Sequence, residues 1–130
     1  MKFLCLCYVL SQMFVVSGWA GTEVIDVSPE KAVEMMNSRE DPRVIDVRSA
    51  EEYADGHIKG ATLLDVNAGD FEELLSKLDR SKVYLIHCRS GARSARALKL
   101  FKKLDFEKVY HLQGGIQAWQ KAKKPVVKGE

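Results

Sequence analysis

The 130-residue chain carries 20 Lys and Arg against 18 Asp and Glu, a formal net charge of +2, with 46% hydrophobic residues. A balance that even, with no long basic run and no basic–aromatic interleaving, excludes nucleic acid as a general partner. The length suits one domain, and the composition is ordinary for a soluble globular protein.

The first twenty residues read as separate from the fold. Met1-Lys2 is a minimal positive start and Phe3 to Val16 is mainly apolar. Ser17-Gly18-Trp19-Ala20 then places small residues third and first before Gly21. That layout is a secretory signal peptide over 1–20, cleaved after Ala20, with residues 21–130 as the mature domain. The alternative is an uncleaved anchor, for which the fourteen apolar residues, broken by Ser11 and Gln12, are short. Cleavage removes Cys5 and Cys7 and leaves Cys88 as the single cysteine of a periplasmic or secreted protein with no stable membrane association. One cysteine forms no internal disulfide, so an unpaired thiol after export is either reactive or a liability.

Glu23 to Val27 is a strand candidate. Ser28-Pro29 then opens a helix with Ser as N-cap and Pro at its first position, and Ala32, Val33 and Met36 form its apolar stripe. Arg43 to Val47 is a second strand, followed by a short helix from Ala50 to Ala54 and a turn at Asp55-Gly56. Ala61 to Leu64 is a third strand. Asp70 is the expected N-cap of a helix carrying Phe71, Leu74, Leu75 and Leu78. Val83 to His87 is a fourth strand and 92–104 a long helix with Lys and Arg outside. Lys108 to Leu112 is a fifth strand, and Ile116 to Ala122 a closing helix with Trp119 inward. The chain is expected to fray beyond Lys123-Lys124-Pro125. Alternating strands and helices predict a mostly parallel five-stranded sheet flanked by helices on both faces, with its site beyond the carboxyl ends of the strands.

Cys88 lies at such an end. It opens the loop Cys88-Arg89-Ser90-Gly91-Ala92-Arg93-Ser94, which runs from a strand into a helix. Backbone N–H groups, the helix dipole and two guanidinium groups there favour thiolate over thiol. An ordinary cysteine is only a few per cent thiolate at neutral pH. Lowering its pKa by roughly two units makes thiolate the majority form, for about 2.7 kcal/mol. The opposing reading is an inert buried thiol.

Three blocks resemble the rhodanese family in its single-domain form: Ile45-Asp46-Val47-Arg48 through Glu52-Tyr53 to Gly56-His57-Ile58-Lys59-Gly60-Ala61; the Cys88–Ser94 loop; and Leu112-Gln113-Gly114-Gly115-Ile116-Gln117-Ala118-Trp119. The resemblance implies a rhodanese-like α/β fold. It also implies sulfurtransferase chemistry, in which Cys88 takes the outer sulfur of a donor such as thiosulfate, releases sulfite and passes the sulfur to cyanide or a thiol. Arg89, Ser90, Gly91, Ala92, Arg93 and Ser94 are then the substrate-binding loop. Sulfite leaves as a stable anion, so the first step needs no general acid. No metal or cofactor is implied, and a monomer is expected.

The alternatives are a non-catalytic sulfur carrier or binding module of the same fold, and a cysteine phosphatase. Phosphatases of this type place five residues between Cys and Arg; Cys88 and Arg93 have four between them. Ser90 and Glu52 stand where the two-domain thiosulfate enzymes carry basic residues, which puts thiosulfate itself in question. The remaining polar residues read as structural: Asp46 with Arg48 as an ion pair, His57 in a turn and His87 at a strand end. Arg96 is read as solvated, and Gly114-Gly115 as the backbone turn into the last helix. No role is assigned to His111.

Overall fold

A computed structural model describes residues 21–129; the signal-peptide reading of 1–20 lies outside the described residues. Ten elements follow in order: β1 (Glu23–Val27), α1 (Pro29–Met36), β2 (Arg43–Asp46), α2 (Ala50–Asp55), β3 (Thr62–Leu63), α3 (Phe71–Ser76), β4 (Val83–His87), α4 (Ala92–Lys103), β5 (Lys108–Leu112) and α5 (Gly115–Lys121). The strands form one sheet in the order β1-β5-β4-β2-β3, parallel at every pairing. β4 is central and nearly all buried, which explains its continuous apolar run; a strand covered on both faces has no solvent side to alternate toward. β3, at one edge, has two residues only.

Right-handed crossovers decide which helix covers which face. The chain moves one way across the sheet from β1 to β2 to β3. On that journey α1 and α2 lie on the face where Ala32, Ile58, Ile116 and Trp119 pack, which α5 completes. It then returns through β4 to β5, so α3 and α4 cover the opposite face with Phe71, Leu75, Leu98 and Phe101. Tyr84, Phe101 and Phe106 meet there at centroid separations of 4.7–6.3 Å, in tilted and edge-on arrangements.

Ser28 caps α1 as expected, accepting the Lys31 N–H at 3.2 Å. Asp70 is the N-cap of α3 as expected, but its backbone (φ −98°, ψ 6°) is not extended and its carboxylate accepts no cap hydrogen bond. That helix also stops at Ser76, although Leu78 still packs against the core. Residues 126–129 are not frayed. Val127 forms an antiparallel bridge with His57, with N–H···O distances of 2.9 and 2.8 Å, and Gly129 N–H donates to Ala54 carbonyl. Val126 beside them packs on the α1–α5 face of the core, and that nonlocal burial has no periodic signal in so short a segment.

Candidate active site

β4 ends at His87, and the loop that follows turns into α4 at the centre of the sheet, beyond its carboxyl edge. Gly91 makes the turn at φ 122°, a conformation that favours glycine. Its N–H points back to Cys88 Sγ at 3.1 Å, and the Ser94 hydroxyl lies 3.3 Å from the same sulfur. Burial pushes the thiol up; the Ser94 hydroxyl and the amides of Ser94, Gly91 and Ser90 pull it down further, and the balance falls below the ordinary value. Cys88 is only 1% exposed, more enclosed than the sequence suggests. Its surroundings are nonetheless a polar cradle on the loop side rather than hydrocarbon alone.

The other side of the loop is held by α5. Ile116 and Gln117, in its first turn, donate their N–H groups to the carbonyls of Cys88 and Arg89 at 2.9 and 3.1 Å. Pinning those carbonyls outward leaves the loop amides to face the sulfur. Gly115 makes the close approach possible. Its φ is +59°, and a Cβ there would stand 2.5–2.6 Å from the Arg89 and Cys88 carbonyls. Gly115 therefore does more than turn the chain: it is the seat of the cysteine loop.

Behind the loop lies a sealed cluster. Asp46, at the end of β2, accepts from Arg48 N–H at 3.0 Å, Nε at 3.0 and 3.1 Å and Nη2 at 2.7 Å; Arg48 Nη2 also reaches Gly56 carbonyl at 2.7 Å. This is the structural ion pair expected for those residues. His87 Nδ1 lies 3.0 Å from the Cys88 carbonyl, which only accepts, so Nδ1 carries the proton. Its Nε2 stands 3.6 Å from Asp46 Oδ2 and has no hydrogen-bond partner among the described residues. Burial holds the His87 ring below its ordinary pKa and so neutral, against the pull of Asp46. His57, expected to be structural, stacks on Tyr53 at 3.7 Å and is buried.

The two arginines part ways. Arg89 is exposed and lines a cleft of about 270 Å³ beside the loop, with Arg48, Glu52, Asp55, Gln117 and Gln120. Arg93 turns to Glu52 instead, in a two-pronged pair at 2.8 and 2.8 Å. Glu52 also completes a capping box with Ser49 at the start of α2, accepting from its N–H at 3.1 Å and its hydroxyl at 3.0 Å. Arg93 and those Ser49 bonds lower the Glu52 carboxyl, against burial, to about 2. The Ser-x-x-Glu spacing is local; the reach of Glu52 to Arg93, 41 residues away, is not. Ser90 and Ala92 are exposed at the loop's outer rim, and Ser94 is buried. Arg96, expected to be solvated, is exposed and donates to Asn67 at 2.6 Å.

Sequence reasoning passed over His111. Its Nε2 lies 2.7 Å from Ser94 Oγ and its Nδ1 3.1 Å from Asp26 Oδ1. The signal was a polar residue among buried apolar ones near the carboxyl end of β5, paired in register with Asp26 on β1.

A family model for the rhodanese-like domain matches residues 28–122. The putative sulfurtransferase YtwF of Bacillus subtilis is 35% identical over 103 residues, covering 79% of this chain and 97% of the relative. The probable adenylyltransferase/sulfurtransferase MoeZ of Mycobacterium tuberculosis is 36% identical over 99 residues. Those are 76% of this chain, which spans only a quarter (25%) of MoeZ. Among solved structures, a rhodanese-related protein from Thermoplasma volcanium matches with a TM-score of 0.71 at 28% identity, covering 81% of this chain and 99% of that one.

Proposed function

Since the chain belongs to the rhodanese-like domain family, we propose that it is a sulfurtransferase in which Cys88 carries a sulfane sulfur between a donor and a thiophilic acceptor. The observation that carries this reading is the Cys88 sulfur facing the Gly91 amide and the Ser94 hydroxyl, with its thiol held below the ordinary range. The thiolate attacks the outer sulfur of the donor; the bond from that sulfur to the leaving group breaks, and the departing group keeps the electron pair. With thiosulfate the leaving group is sulfite and the product is a Cys88 persulfide anion. Acceptor thiolate or cyanide then attacks the outer persulfide sulfur, and Cys88 leaves as thiolate. Neither half-reaction oxidises or reduces the pair overall.

The loop suits a single added sulfur. The amides of Ser90, Gly91 and Ser94 curl about one anionic atom, as nests of N–H groups do. Arg89 meets the charged end of the donor in the cleft, while Glu52 neutralises Arg93. That neutralisation argues for a donor of lower charge than dianionic thiosulfate, such as an organic persulfide.

Intact mass before and after a sulfur donor tests the reading. Wild type gains one sulfur, Cys88→Ser gains none, and turnover to cyanide disappears in that variant. Full turnover by Cys88→Ser would overturn it. The same spectrum, taken on protein from its natural compartment, reads whether the chain was exported and cut after Ala20. A carrier role is the second reading, favoured by the 1% exposure of Cys88. It predicts a persulfide that persists with excess acceptor thiol, whereas the enzyme discharges it catalytically.

A further inference from the structure

The face of the sheet under α4 is apolar along most of its length. Val24 on β1, Ile86 on β4, Val109 on β5 and Ala97, Leu98 and Phe101 on α4 all pack there. At the carboxyl edge the pattern breaks. Asp26 and His111, one step further along β1 and β5, are paired in register and turn toward Ser94 at the start of α4. Two polar residues at matching positions on adjacent strands, meeting a buried hydroxyl that touches the cysteine, form one continuous chain. The links are Asp26 Oδ1 to His111 Nδ1 at 3.1 Å, His111 Nε2 to Ser94 Oγ at 2.7 Å, and Ser94 Oγ to Cys88 Sγ at 3.3 Å.

Ser94 has one hydroxyl proton and three acceptors in reach: Cys88 Sγ, His111 Nε2 and the Gly91 carbonyl at 3.1 Å. Asp26 carboxylate accepts from His111 Nδ1–H. In the neutral ring Nε2 is then an acceptor and draws the Ser94 proton, which leaves Ser94 unable to donate to the sulfur. In the imidazolium both ring nitrogens donate, and Ser94 is free to donate to a thiolate. The charge states of Cys88 and His111 are thus coupled through a single proton position.

We propose that Asp26, His111 and Ser94 form a proton relay to Cys88, in which His111 takes up the thiol proton through the Ser94 hydroxyl and the resulting imidazolium partners the thiolate. The step balances: the S–H bond breaks as a new O–H forms on Ser94, the old Ser94 O–H breaks as N–H forms on His111, and no electrons leave the set. Asp26 holds the ring in the tautomer that leaves Nε2 free, and compensates the imidazolium. Neither Asp26 nor His111 touches the sulfur, so both are positioning residues; of the three, Ser94 is the one that contacts it. Among the described residues, the titratable groups facing the ring are Asp26 from β1 and, through Ser94, Cys88 after β4; its register neighbour on β4, Ile86, is apolar.

The relay rests on Cys88 as the reactive thiol of the proposed function, but its test needs no sulfur donor, so the two can fail separately. The rate of Cys88 alkylation by iodoacetamide, followed by peptide mass on the full chain, is measured between pH 5 and 9. In His111→Asn the midpoint moves up by roughly one pH unit, a tenfold lower rate on the acidic side, while the alkaline plateau stays within about twofold. Asp26→Asn moves it in the same direction by less. Profiles of both variants that overlie wild type would reduce the chain to a structural stitch and overturn the proposal. Asp26→Asn, read by the same pH profile, keeps the test decisive should His111→Asn fail to fold.

Discussion

The polar groups around Cys88 meet water differently. In the first set, Asp46 and His87 are 0% exposed and Arg48 5%, with Arg48 held to the Gly56 carbonyl and the end of β2. In the second, the side chains of Glu52 and Arg93 are 30% and 25% exposed, and Asp26, on a different strand, is more open still. A sealed charge has lost its hydration and stays ionised only while its partner is present, so the first cluster holds shape. An open pair is screened and weakly bound, so the second can change partners as charge comes and goes at the sulfur. The same residue types serve as scaffold or as machinery according to how far water reaches them.

The sharpest way to break that contrast is in the sealed cluster. Arg48→Met strands the Asp46 carboxylate in a dry site and is expected to cost about 3–5 kcal/mol in urea unfolding. A cost under about 1 kcal/mol would class it with the open pair. Next is the seat of the loop. Gly115→Ala combines a strained φ with contacts at 2.5–2.6 Å to the Arg89 and Cys88 carbonyls. It should cost about 1–3 kcal/mol and lower the sulfur-transfer rate by roughly 100-fold through displacement of the loop. Unchanged kinetics would mean that α5 does not position the cysteine.

Smaller effects come from pH. Unfolded, His87 takes a proton near its ordinary 6.5; folded, burial keeps the ring neutral to lower pH. The unfolded state therefore binds more protons, and stability falls as pH drops below that value. His87→Gln, which does not titrate, should show a flatter decline in urea midpoints from neutral pH to about pH 5.

Glu52→Gln probes the open cluster and should be the mildest change. Glutamine can keep the capping box, so stability at neutral pH should change by less than about 1 kcal/mol. The folded Glu52 carboxyl sits at about 2 against an ordinary 4.5, so its contribution is whole above 4.5 and lost as pH falls toward 2. The variant should lose less stability across that window. With Arg93 released, KM for thiosulfate should fall several-fold; a KM that rises would show that the Glu52 pair assists the donor instead.

Most of the fold was legible in the chain because helices and strands are local. Ser28-Pro29 announces a helix start, the Val83–His87 run a doubly covered strand, and the spacing of apolar residues in 92–104 a helix with one dry face. The strand–loop–helix passage through Cys88 was equally local, which is why the amides around its sulfur could be expected. Tertiary structure alone decided what that loop leans on. Arg93 meets Glu52 across 41 residues, and His111 meets Asp26 across 85. Those meetings depend on the order β1-β5-β4-β2-β3 and on the register Asp26 to His111. A parallel register is set by burial of whole faces summed over the sheet, and no short stretch of sequence contains that sum. The C-terminal bridge of Val127 to His57 shows the same limit, since a segment that short acquires its place only from the surface it lands on.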